Sequence, residues 1–228
     1  MGEPPSDPDS IYYAHAGRLP FVSRVSRRAR HRLFRLFMDV MRPGPGTTIL
    51  DVGVSADTSS LEANVLEALY PYRDKITCAG LDDPAEMVKR YPGVRGARLR
   101  PHEPLPFADG AFDVAYSNAV IEHVGSRERQ AEFVRELERV GRRVFIAAPN
   151  RWFPIEQHTG LPLLHYLPAP LFRALLRPTP LRHWSREENL NHLTASELRG
   201  LFGDPSRVRT ASSGIGLGPL SSNLAAWT

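Results

Sequence analysis

Apolar and polar positions along this chain alternate between two periodicities. From Ser23 to Met41, Val25, Ala29, Leu33, Leu36, Phe37 and Val40 recur at helical spacing, while Arg24, Arg27, Arg28, Arg30, Arg32 and Arg35 fill most other positions. The pattern predicts a basic amphipathic helix, and Pro43-Gly44-Pro45-Gly46 must end it. Strands follow at 47–54, 75–81, 97–99 (weak), 112–117 and 143–148, with helices at 59–69, 84–90 and 127–140 between them. The fifth strand is apolar on both faces, as a buried parallel strand must be. Repeated β-α units of this kind predict an α/β fold with a doubly wound parallel sheet.

The alternation breaks after residue 150. Pro154, Pro162, Pro168, Pro170, Pro178 and Pro180 interrupt an apolar stretch at 151–193, too many for one helix, so this segment reads as an insertion or lid after the fifth strand. Thr194-Ala-Ser-Glu197 is a capping-box start for a helix through Phe202. Closing strands are expected at 208–212 and 224–227, and Gly214-Ile-Gly216-Leu-Gly218 reads as a loop. The expected organisation is a flexible arm (1–22) and a single domain (23–228), with a core at 47–150 and the insertion at 151–193.

Composition narrows the classes. The 228 residues are 42% hydrophobic and 24% charged, ordinary values for a globular domain. No run of 18 apolar residues and no leader pattern occurs, so neither a membrane span nor a secretory signal is expected. The one cysteine, Cys78, cannot form an internal disulfide, which favours a cytoplasmic setting. The net charge of +4 is carried mainly by arginine, with lysine only at Lys75 and Lys89. No basic patch is interleaved with aromatics, so no nucleic-acid partner is expected.

Ile49-Leu50-Asp51-Val52-Gly53, Gly80-Leu81-Asp82, Leu105-Pro106-Phe107-Ala108-Asp109-Gly110-Ala111-Phe112-Asp113 and Val120-Ile121-Glu122-His123-Val124 follow in that order. Over residues 47–150 the chain thereby resembles the class I S-adenosylmethionine-dependent methyltransferases. The resemblance implies a Rossmann-like seven-stranded sheet whose last strand is antiparallel. It also implies S-adenosyl-L-methionine as cofactor across the carboxyl ends of the first strands. Two glycines of the family's usual loop are replaced, by Ser55 and Asp57. Such a change fits either a methyltransferase or a catalytically silent binding protein of the same fold.

Candidate roles follow. Asp82 ends the second strand, where a carboxylate can accept from both ribose hydroxyls. Asp51, Gly53, Ser55 and Asn118 lie at strand ends near the same edge, Gly53 because the backbone must pass close to the cofactor. Glu103 is the candidate for the adenine amine, with backbone near Pro104 as the plainer substitute. Asp113 reads as structural. His123 can act as a base toward a hydroxyl acceptor or pack beside the pocket, and His158 is its rival. Asn150, Arg151, Trp152 and Glu156 leave the fifth strand at the same edge and form a candidate acceptor pocket. Tyr13, with Tyr12, is a candidate lid. His158, His165, His183 and His192 match no metal spacing, so no metal is expected. The acceptor expected is a small molecule or a lipid-linked compound, methylated at oxygen. The apolar segments at 161–167 and 171–176 fit either peripheral contact with an anionic membrane or, in the favoured reading, packing against the domain.

Overall fold

The computed structural model describes residues 20–55 and 64–228, with backbone only at 20–25. Seven strands form one sheet: β1 (Ile49–Val52), β2 (Ile76–Gly80), β3 (Arg95–Arg98), β4 (Phe112–Asn118), β5 (Gly141–Pro149), β6 (Arg209–Ser213) and β7 (Asn223–Trp227). Their order is β3-β2-β1-β4-β5-β7-β6, with β7 antiparallel to both its neighbours. The helices are α1 (Pro20–Met41), α2 (Val65–Leu69), α3 (Ala85–Arg90), α4 (Arg127–Val140), α5 (Ala169–Leu176) and α6 (Ala195–Gly200). The doubly wound sheet with its antiparallel last strand is therefore as expected. Helix α1 begins at Pro20, three residues earlier than the periodicity suggested, and proline suits a helix's first turn. Helix α6 stops at Gly200 rather than Phe202. The expected arm at 1–22 lies largely outside the described residues, as do Tyr12, Tyr13, Asp57 and the start of the helix expected at 59–69.

Side chains alternate across the sheet, so each central strand feeds two cores. Leu50, Ala115, Val144 and Ile146 meet Val134, Leu137 and Val140 of α4 on one face. Ile49, Val114, Tyr116 and Phe145 meet Leu33, Phe37 and Met41 of α1 and Leu66 of α2 on the other. Phe37 packs edge-on against Tyr116 and Phe145 at 5.1 and 5.2 Å, which fixes α1 across the middle of the sheet. Arg143 reaches the last carbonyls of α1, Val40 and Met41, and closes that helix's negative end.

The Leu105–Phe112 run proves to be a clamp. The Arg139 guanidinium on α4 donates to the carbonyls of Leu105 and Phe107 and to Asp109, while Glu136 accepts from the Leu105 N–H. Asp113 accepts from the backbone and hydroxyl of Thr48, and those bonds lower its carboxyl pKa, so it is structural as expected. Thr194 and Glu197 form the expected capping box.

The insertion builds a small core of its own from Phe172, Leu176, Trp184 and Leu190. Its apolar segments are thus partly consumed in packing, yet Leu171 and Leu175 stay 48% and 45% exposed. No helix among the described residues is long and apolar enough to cross a membrane.

Candidate active site

The carboxyl ends of β1, β2, β4 and β5 lie along one edge, where open α/β sheets place their ligands. At β1, alternation turns Asp51 toward the α1–α2 face, where it is buried beside Glu67 of α2. Burial raises both carboxyl pKa values, and the two groups share a hydrogen bond. Cys78 of β2 donates to Glu67 at 3.2 Å, and burial pushes that thiol's pKa up as well. The Tyr116 hydroxyl is buried next to them without a hydrogen-bond partner among the described residues. Glu67 was not foreseen as part of this cluster, although an acid inside the apolar run Val65-Leu66-Glu67-Ala68-Leu69 was the available signal.

Gly53 follows at φ +95°, and a Cβ there would clash with Val120 Cγ2. The turn therefore needs glycine both for its backbone and for the approach of the Ile121–His123 turn. Asp51, Gly53, Asn64, Tyr116 and Asn118 border one cleft. The Ser55 carbonyl accepts from Asn64. Asp82 is exposed just beyond the end of β2. Glu103 is exposed too and forms a solvent-exposed ion pair with Arg100 at 3.6 Å. This edge thus carries a carboxyl pair, a buried hydroxyl with no partner among the described residues and a positive-φ glycine, with Asp82 exposed beside them.

The second half of the site joins β4 to the insertion. A short 3-10 turn (Ile121–His123) carries Glu122 and His123, and the loop after β5 brings His158 to it. The Nε2 atoms of His123 and His158 lie 3.1 Å apart. His123 Nδ1 is 2.6 Å from the Asn189 carbonyl, which only accepts, so that nitrogen carries the proton. His158 Nδ1 faces the Glu156 carboxylate at 2.9 Å and donates to it. Trp184 covers both rings, with centroids at 6.0 Å from His123 and 4.9 Å from His158.

Glu156 organises this cluster. It is 2% exposed and accepts from the backbone of His158 and Thr159 and from His192 Nε2 as well as from His158 Nδ1. Burial pushes its carboxyl pKa up, but the His158 and His192 rings outweigh that and hold it well below the ordinary range. Glu122 is equally buried, and neither of its carboxylate oxygens has a hydrogen-bond partner among the described residues.

The insertion is tied back to the 3-10 turn. Asn191 donates to the carbonyls of Glu122 and Gly125, and Gln130 donates to those of Ile121 and Asn191. Asn150, expected at an acceptor, instead donates to Pro219 and Ser221 carbonyls and accepts from Trp152, so it anchors the β6–β7 loop. Arg151 donates to the Leu167 carbonyl at 3.4 Å. Trp152 is 44% exposed and meets Tyr166 edge-on. His123, His158 and Glu156 are thus brought together, whereas Asn150 holds the β6–β7 loop and Arg151 the insertion's own backbone. Trp184 and Asn189 completed the cluster without a sequence signal, because only the fold returns them to β4.

Comparison with known proteins agrees with this geometry. A family model described as a methyltransferase domain matches residues 50–144. No curated protein sequence matches the chain. A solved S-adenosylmethionine-dependent methyltransferase from Aquifex aeolicus is similar at TM-score 0.58 and 16% identity, covering 97% of each chain. A possible histamine N-methyltransferase from Thermotoga maritima is similar at TM-score 0.57 and 14% identity, covering 96% of each. The Burkholderia thailandensis 1,6-didemethyltoxoflavin-N1-methyltransferase, solved with that substrate and S-adenosylhomocysteine, is similar at TM-score 0.56 and 14% identity, covering 100% of this chain and 92% of its own. At such identities the likeness speaks for the fold.

Proposed function

We propose that this chain is a class I S-adenosylmethionine-dependent methyltransferase that methylates a hydroxyl oxygen of a small-molecule or lipid-linked acceptor, a reading supported by the methyltransferase-domain match at residues 50–144 and by the sheet order. Asp51, Gly53, Ser55, Asp82 and Asn118 would hold the donor, and Glu103 would reach its adenine only by leaving Arg100. The donor supplies a methyl group on an electrophilic sulfonium, so the protein's task is chiefly to align the acceptor and exclude water.

The observation that carries this reading is the oriented pair His123–His158, 3.1 Å apart under Trp184 at the edge where the fold puts its ligands. Two imidazoles with their outer nitrogens fixed present their inner nitrogens to the same small volume, which suits promotion of a hydroxyl's ionisation. Trp152 supplies an apolar wall. A lipid-linked acceptor is supported by the exposed Leu171 and Leu175, one turn apart on α5. It is supported also by a groove of about 680 Å³ lined by Arg173, Arg177, Arg182 and Arg186 with Glu187 and Glu188, a net positive lining that suits an anionic head group even with Arg173 paired to Glu187. A cytoplasmic protein with peripheral membrane contact would meet such an acceptor, and no nucleic-acid partner is part of the proposal.

The test is incubation with methyl-labelled S-adenosylmethionine and separate lipid and aqueous extracts. Label in the lipid phase supports the lipid-linked acceptor, and label in an aqueous product supports the small molecule. No label in either, with no donor binding in calorimetric titration, supports instead the silent binding protein that no longer uses the donor.

A further inference from the structure

His123, His158 and Glu122 present three ligand atoms within 4.8 Å of one another. The geometry points to a divalent transition-metal site, zinc-like in its preferences, formed by His123 Nε2, His158 Nε2 and the Glu122 carboxylate. Its binding is independent of the methyl-transfer reading, whereas a role in catalysis rests on that reading.

The proton placement argues first. Both Nδ1 atoms carry hydrogens, donated to the Asn189 carbonyl and to Glu156. In neutral rings both Nε2 atoms are then lone pairs, and they point at each other across 3.1 Å. Something positive must lie between them, either one proton or a cation. Metal-bound histidines almost always donate their other N–H to a carbonyl or carboxylate, the arrangement found on both rings here. With metal–nitrogen bonds of about 2.05 Å, a 3.1 Å separation corresponds to an angle of about 98° at the metal, between the octahedral and tetrahedral values.

Charge argues second. Glu122 is 2% exposed, and both its oxygens lack hydrogen-bond partners among the described residues. Such a carboxylate calls for a cation nearby. The protein's own candidate is His123 Nε2, 3.8 Å from Glu122 Oε1, beyond hydrogen-bonding distance. The ligand atoms span up to 4.8 Å, more than the roughly 3.4 Å between ligands of a tetrahedral ion, so binding requires the Glu122 side chain to move toward the two imidazoles. Two imidazoles with one carboxylate favour zinc, iron, nickel or copper over magnesium or calcium.

Sequence spacing shows no metal motif, because the ligands come from two loops 35 residues apart. Three protein ligands leave coordination positions open. A hydroxyl of the acceptor bound there would be acidified and lose its proton to solvent water, leaving an alkoxide for methylation. His123 and His158 would then serve as ligands rather than as bases.

The experiment is titration of untagged protein with Co²⁺, read by visible absorption, alongside calorimetric titration with S-adenosylmethionine. One equivalent of Co²⁺ should produce a visible band, and Glu122→Gln and His158→Ala should weaken binding by at least about tenfold. Circular dichroism checks that these variants fold. If they do not, unfolding of the wild type at a Zn²⁺ excess of 100-fold over Kd should rise by about 5–10 °C. No band in the wild type, or an identical band in folded variants, overturns the site, as does an unchanged melting point with Zn²⁺. Donor binding without Co²⁺ binding sinks this inference alone. Co²⁺ binding without donor binding sinks the methyl-transfer reading alone.

Discussion

Replacing Glu156 by glutamine keeps the shape of the side chain and removes the charge on which the histidine cluster is built. One carboxylate oxygen accepts from the Thr159 N–H at 2.6 Å, and the other from His158 Nδ1 at 2.9 Å and His192 Nε2 at 3.2 Å. The amide oxygen of glutamine would stay with the backbone, because a backbone N–H cannot change sense. The amide NH₂ must then face the two histidines, which have to present lone pairs to it. Two charge-assisted bonds, each contributing about 1.5–3 kcal/mol, become neutral bonds of about 0.5–1.5 kcal/mol, a loss of about 2–3 kcal/mol in all. For a domain of this size that lowers Tm by about 4–12 °C. The same change moves the His158 proton from Nδ1 to Nε2 and so blocks the nitrogen that faces His123. Thermal unfolding followed by circular dichroism, with labelled-methyl turnover in parallel, checks both consequences. An unchanged or raised Tm with full turnover would refute the reasoning, because burial alone would then outweigh the partners of Glu156.

Other consequences are equally specific. Asp51 and Glu67 have raised pKa values, so the stability of their protonated forms is fully present below about pH 4 and is lost as pH rises through the folded-state values. Glu67→Gln should therefore gain stability relative to wild type as pH rises from 5 to 8, measured by urea midpoints; a constant or opposite difference contradicts the buried pair. Gly53→Ala meets Val120 and an unfavourable φ, and should cost about 2–4 kcal/mol. Adding Val120→Ala should recover part of that cost in a double-mutant cycle, and strict additivity would contradict the contact. Phe37→Ala should cost about 3–5 kcal/mol in urea unfolding, because the ring is wholly buried against Tyr116 and Phe145. A loss below 1 kcal/mol would mean that α1 is not docked as described.

The sheet was legible because its signal is local. Strands β1, β4 and β5 are apolar runs between turns, and α4 shows a full helical stripe, so each could be read without its neighbours. The weak edge strand β3 was found within two residues despite the mostly exposed pattern of Arg95–Arg98. The site was only partly legible. Asp51, Gly53 and Asn118 are positioned by strand ends and lie where the β-α pattern put them. Glu156 and His158 were recognised as polar groups near the edge, but their roles depend on Asn189, His192 and Trp184, which the insertion returns from more than 25 residues away. Asn150 was misread because a polar residue at a strand end serves a ligand or a loop equally well, and only the Pro219 and Ser221 carbonyls decide between them.

Donor binding at the ends of β1, β2 and β4 is the claim on which the rest depends. Calorimetric titration of the protein with S-adenosylmethionine tests it most directly, with Asp82→Ala as the paired variant. The account predicts one-to-one binding that weakens by about tenfold or more in the variant, the loss of charge-assisted bonds to the ribose. Binding of equal strength in both proteins, or none in the wild type, would contradict it.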